Sequence, residues 1–233
     1  LTPAHIPRVM ARLMAEQLTE KLTDEARLAL AYTGPILRDA LRIFFEFDGR
    51  LARIVSATNE PMLGQMRLAW WRDTLGTPVN ERPEGDMVLD ALGAHWAGQE
   101  AALVALVDGW EWMLSEPPLS REAAEGFAKG RAHALGALAN FLSDDANVQP
   151  HLQNAGMIWA LADAASHIAE ESERATLLEI ARDLPSPEPL PSPYRGVAVL
   201  GALGVRSIAA GGAPLMAGRG AALVAFRAGL LGR

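Results

Sequence analysis

Three residues with metal-binding side chains recur at one-turn spacing in the second half of the chain. Asp163, His167 and Glu171 are spaced four residues apart, so in one continuous helix they would share a face. A histidine between two carboxylates offers the donors of a transition-metal or Mg²⁺ site. The alternative is a solvated face, because Glu170 has Arg174 as an i, i+4 partner. The spacing leaves both interpretations open.

A second cluster combines aromatic and basic side chains. Trp70 and Trp71 lie beside Arg67 and Arg72, which is one way to build an aromatic and cationic binding site. Tryptophans among Met and Leu residues at helical spacing are more typical of a hydrophobic core and its rim. The chain has no cysteine, which excludes a Cys nucleophile, a thiolate zinc site and a disulfide scaffold.

Helices must position these side chains, because apolar residues recur every three to four positions and alternating strand patterns are hard to find. We therefore predict an all-α protein. The predicted helices span about 3–21, 26–32, 36–58, 61–75, 87–96, 99–114, 120–142, 151–184 as one helix or a broken pair, 194–210 and 215–231.

Local signals mark several helix ends. Thr23 and Ser120 are suited to N-capping, and Pro61 to a first helical turn. Five prolines within 185–193 predict an extended connector. No repeat period emerges, so we predict one domain over 1–233.

Charge is distributed unevenly along the chain. The net charge of -7 argues against nucleic-acid binding. No acid follows Glu188, whereas arginines continue to the end, so the C-terminal segment is basic. That segment either packs its arginines against the acidic body or contacts a membrane surface or anionic headgroup. We expect a cytoplasmic protein, with peripheral membrane contact as the alternative, since no signal segment or membrane span is evident.

Two stretches carry a family resemblance. ALRIFFEFDGRLARIV at 40–55 and EPMLGQMRLAWWRDTL at 60–75 resemble the opening of a squalene/phytoene synthase domain. They are most similar to a divergent branch found in bacteria and in a mitochondrial complex I assembly factor. Weaker similarity extends through 130–142, 155–171 and 195–203. The resemblance implies an isoprenoid synthase-like helical bundle around an apolar cavity.

The resemblance also implies a metal-dependent reaction site, and this chain lacks some of the residues of that site. Active members hold Mg²⁺ and a prenyl diphosphate between two Asp-x-x-x-Asp motifs. The first motif falls on Ala52 and Ser56, and a neighbouring family arginine falls on Gly49. We expect the nearby acids Glu46 and Asp48 to point elsewhere on the helix. The helix segment that aligns with the first motif should therefore bind no cation.

The second family motif falls near His167 and Glu171, with Asp163 one turn earlier. His133, on a helix rich in small residues, either reaches the implied cavity or is an ordinary hydrogen-bonded histidine. The residues that we predict to line the cavity are Phe45, His133, Gly136 and Ala160.

Three functions are compatible with this sequence. The preferred one is a catalytically silent relative that binds an isoprenoid or lipid-like ligand, or a protein partner. The second is an active head-to-head prenyltransferase on farnesyl or geranylgeranyl diphosphate, and the third is a membrane-associated assembly factor. We expect no cofactor and no bound metal, except Mg²⁺ if the protein is active.

Overall fold

A computed structural model of the chain describes residues 22–58, 60–142 and 147–232. These residues form ten α-helices and no strand, which confirms the all-α prediction. The helices are α1 Asp24–Tyr32, α2 Pro35–Ser56, α3 Pro61–Gly76, α4 Met87–His95, α5 Glu100–Glu111, α6 Arg121–Gly136, α7 Val148–His167, α8 Glu171–Asp183, α9 Arg195–Ala209 and α10 Gly220–Leu231. The helix predicted over 3–21 lies outside the described residues.

The predicted capping residues begin their helices. The Thr23 hydroxyl accepts a hydrogen bond from the Ala26 amide at 3.4 Å, and the Ser120 hydroxyl accepts one from the Ala123 amide at 3.1 Å. Pro61 occupies the first position of α3, where its missing N–H is not needed. Short-range chemistry therefore sets these helix starts.

The segment predicted over 151–184 is a broken pair. Helix α7 ends at His167 and α8 begins at Glu171. The Arg174 guanidinium donates to the Ile168 carbonyl at 2.9 and 3.2 Å, so a cation satisfies a carbonyl just past the C-terminal end of α7. The helices predicted over 99–114 and 120–142 are α-helical only to Glu111 and Gly136. Each continues as a short 3₁₀ turn, at Trp112–Leu114 and at Ala137–Phe141.

The helices pack in a row in which α3 contacts α5, α5 contacts α6, α6 contacts α7, and α7 contacts α9. Helices α1 and α10 pack on α9, while α2 lies against α4 and α5. The buried apolar side chains form one cluster. No helix within the described part of the chain has both the length and the apolar character needed to cross a membrane.

Two glycines allow α5 and α6 to cross closely. A Cβ added to Gly130 would lie 2.5 Å from the Ala105 carbonyl oxygen and 2.7 Å from the Gly109 Cα. Both neighbours are backbone atoms, which cannot rotate away. The crossing brings Trp110 and Arg131, the next residues along each helix, to the same place.

Replacing Gly130 with alanine tests this crossing. Alanine favours a helix over glycine by about 1 kcal/mol, but the backbone clash should outweigh that gain and lower the free energy of unfolding by about 1–3 kcal/mol. Urea denaturation measures the difference. The control is Gly76→Ala, since a Cβ there meets nothing within 4 Å. Equal stability of the two variants would contradict the close crossing.

Candidate functional site

A buried ion cluster joins three helices at the centre of the bundle. Arg131 of α6 makes two hydrogen bonds to Asp48 of α2, with Nε–Oδ1 at 2.9 Å and Nη2–Oδ2 at 2.5 Å. Its third nitrogen, Nη1, donates to Asp163 Oδ2 of α7 at 2.7 Å. Arg131 and Asp48 are each 4% exposed. One guanidinium therefore bridges carboxylates from two different helices.

Aromatic rings enclose this cluster. The Arg131 Cζ atom lies 4.3 Å from the ring centroid of Trp159 and 5.0 Å from those of Trp110 and Phe127. Cations are attracted to aromatic faces at such distances. The Trp110 indole N–H also donates to Asp48 Oδ1 at 2.8 Å. The rings and the carboxylates together hold the guanidinium in one position.

The electrostatics keep the cluster charged. Burial acts to lower the pKa of Arg131, but the charges of Asp48 and Asp163, and the hydrogen bonds to them, outweigh burial and raise that pKa above its ordinary value. Two carboxylates and one guanidinium leave the cluster with one net negative charge.

Asp48 is the residue that the sequence analysis placed wrongly. We expected it to point away from the face of Ala52, yet it lies one helical turn before Ala52 on the same side. Asp48 is buried, whereas Ala52 and Gly49 are half-buried and Ser56 is exposed. The aligned first-motif positions thus carry no acid, and the nearest acid is already paired with Arg131.

The predicted face of Asp163, His167 and Glu171 is interrupted. Asp163 joins the cluster, but the His167 side chain is 77% exposed and its Nδ1 lies 2.8 Å from the Asp163 carbonyl oxygen. Glu171 is exposed at the first position of α8. The prediction of one shared helix face is wrong because the helix ends between the second and third residue.

The predicted cavity-lining residues separate into two groups. Phe45 is buried, with its ring centroid 6.1 Å from that of Trp159. Ala160 is fully buried, and Gly136 is buried against the Gln153 side chain. His133 is exposed, so its prediction as an interior residue is wrong. It faces outward on α6, two residues from the inward-facing Arg131.

The aromatic and basic cluster on α3 is mainly packing. Trp71 is fully buried and Trp70 half-buried, as expected for core and rim. Arg72 Nε donates to Asp108 Oδ1 at 2.6 Å, and its Nη2 pairs with Glu111. A groove of about 360 Å³ beside these acids is lined by Gln65, Asp108, Glu111, Trp112, Leu114 and Ser115.

The squalene/phytoene synthase family model matches residues 20–178, which is more than half of the chain. The chain belongs to the squalene/phytoene synthase family. No curated protein and no solved structure gave a significant match.

The family implies a Mg²⁺ site, and the residues present do not fit one. Mg²⁺ needs oxygen ligands in near-octahedral geometry. In this squalene/phytoene synthase-like chain, Asp48 gives both of its oxygens to Arg131, which also occupies one oxygen of Asp163. Within 22–58, 60–142 and 147–232, no group of three His, Asp or Glu side chains could hold a metal ion.

Removing the bridging cation should destabilise the protein strongly. Arg131→Met leaves Asp48 without its buried partner, and we expect the free energy of unfolding to fall by about 3–5 kcal/mol. Adding Asp48→Asn removes the unpaired charge and should recover at least about 1 kcal/mol relative to additive losses. Urea denaturation of the single and double variants measures both values.

Arg121→Met is the matched control, because Arg121 starts the same helix and pairs with Glu179 at 2.5 Å, but on the surface. Exposed pairs contribute about 0–1 kcal/mol. A loss at Arg131 no greater than at Arg121, or no coupling with Asp48, would show that the cluster is not a structural requirement.

Proposed function

We propose that this protein is a non-catalytic member of the squalene/phytoene synthase family that acts by binding a partner. The bridge from Asp48 through Arg131 to Asp163 carries the proposal. Each aspartate lies one helical turn before an aligned motif position, Ala52 on α2 and His167 on α7. An internal guanidinium thus pairs with the carboxylates closest to the places where the family binds metal.

The charge of the cluster supports a silent site. Ionising a prenyl diphosphate requires cations that stabilise the departing diphosphate. Here the Arg131 cation is shared by two carboxylates, so the formal charge of the cluster is negative. Such a centre repels an anionic substrate and offers its leaving group no stabilisation.

The packing favours a partner on the outer surface over a ligand at the cluster. Trp110, Phe127 and Trp159 fill the space around Arg131. Large apolar side chains are instead exposed at the start of α3 and on α10, and they include Met62, Met66, Leu223 and Phe226. An isoprenoid or lipid-like interior ligand, held near Phe45 and the Trp159 ring, is the competing form of the same non-catalytic role.

A turnover assay tests the absence of catalysis. Purified protein is incubated with radiolabelled farnesyl or geranylgeranyl diphosphate and Mg²⁺, and apolar products are extracted. We expect no product above a boiled-protein blank, because no pair of motif carboxylates is available for Mg²⁺. An active family enzyme run in parallel establishes sensitivity. Squalene, phytoene or a related product would show that the protein is a prenyltransferase.

Calorimetry addresses the metal and the ligand separately. We expect no Mg²⁺ uptake that depends on a diphosphate analogue, in the wild type or in Glu171→Ala. If the wild type takes up Mg²⁺ and Glu171→Ala does not, the second motif is a metal site. Saturable binding of neutral geranylgeraniol, weakened by Trp159→Ala, would assign an interior lipid ligand in place of a surface partner.

A further inference from the structure

Helix α10 turns its small side chains inward. Ala221, Ala225 and Ala228 are almost completely buried, and Gly229 packs on α1, where an added Cβ would lie 2.3 Å from the Tyr32 ring. Small residues allow α10 to sit close to its neighbours. The fully buried face of this helix therefore consists of small residues, with Val224 half-buried beside it.

The large apolar side chains of α10 face outward. Leu223 is 70% exposed, Phe226 53% and Leu230 48%. Their spacing of three and four residues places them in one stripe. Surface helices normally direct such a stripe toward the core, and α10 does the reverse. This stripe, which we call the outer face of α10, is an apolar surface that the described residues leave uncovered.

Cations flank the apolar stripe. Arg219 and Arg227 are exposed on the outer face, four residues to either side of Leu223, and within the described residues neither makes an ion pair. No acid occurs in the chain after Glu188. The outer face therefore combines apolar groups with positive charge that no acid among the described residues pairs with.

Both ends of α10 are fixed to the body of the protein. The Gly232 carbonyl accepts a hydrogen bond from the Leu190 amide at 3.0 Å, in the proline-rich connector. Arg206 of α9 donates to the Ala217 carbonyl at 2.6 Å, just before α10 begins. The outer face is thus presented by a helix whose orientation is set.

We propose that the outer face of α10 binds an anionic lipid surface. A helix with an apolar face and flanking arginines lies in the interface of a bilayer, where the apolar groups enter the headgroup boundary and the cations meet lipid phosphates. The face carries no uncharged hydrogen-bonding side chain, whereas protein interfaces have a polar rim with regular hydrogen bonds. A lipid surface is accordingly the favoured occupant over another protein.

Vesicle flotation tests the proposal on the full chain. We expect wild-type protein to float with vesicles of phosphatidylcholine and phosphatidylglycerol, and less with phosphatidylcholine alone. Each basic residue near an anionic surface strengthens binding about fivefold, so Arg219→Gln with Arg227→Gln should weaken it about 25-fold. Leu223→Ser with Phe226→Ser should abolish flotation on both vesicles.

A matched control uses another exposed apolar surface, on α3. Met62 and Met66 are 72% and 63% exposed and lie close to the exposed Arg67. Met62→Ser with Met66→Ser, and Arg67→Gln alone, should leave flotation unchanged. All altered residues are exposed, so circular dichroism and urea denaturation should show native folding in every variant.

Several outcomes overturn the proposal. No flotation of the wild type, or equal loss in the α3 control, rejects a lipid site on α10. Flotation that is insensitive to the arginine substitutions and to anionic lipid rejects the anionic component. Self-association without lipid that Leu223→Ser and Phe226→Ser abolish would assign the outer face to a second copy of the chain. The test is independent of catalysis, since turnover does not enter any measurement.

Discussion

A buried guanidinium must be neutralised where it lies, because an unpaired charge in a protein interior costs several kcal/mol. In this bundle that requirement joins four helices. Arg131 on α6 needs Asp48 on α2 and Asp163 on α7, while Trp110 on α5 orients Asp48. The glycine crossing of α5 and α6 brings Trp110 and Arg131 together, so close backbone packing and charge neutralisation depend on each other.

The fold followed from local patterns wherever local chemistry decides it. The three-to-four-residue spacing of apolar side chains predicted the all-α class. The capping residues and Pro61 predicted the starts of the helices near Thr23, Pro61 and Ser120. The sequence left open whether α7 and α8 form one helix or two. The break between them depends on the hydrogen bond from the Arg174 guanidinium to the Ile168 carbonyl. The 3₁₀ endings were missed because no residue pattern separates a tightened last turn from a continuing helix.

The candidate site was less predictable, since its contacts join residues far apart in sequence. Asp163 was identified from spacing, but as a metal ligand with His167 and Glu171. Its actual partner, Arg131, lies 32 positions away. A signal existed in the sequence: Arg131 lies between the small residues Gly130 and Ala132 of α6, and a long cation on a closely packed helix requires an acid. Asp48, three residues after Phe45 and four before Ala52, was on the correct face to supply one.

The interior and the surface of the protein support the same interpretation. In the family's reaction, cations from solution bind carboxylates in an accessible interior, and the apolar substrate enters with them. Here the protein's own cation binds the carboxylates, and aromatic rings close over it. The apolar groups that remain available are on the outside, where α10 exposes Leu223 and Phe226 and buries alanines. An interior filled in this way and an exposed apolar face are together the basis for the proposal that the protein binds a partner and does not turn over a substrate.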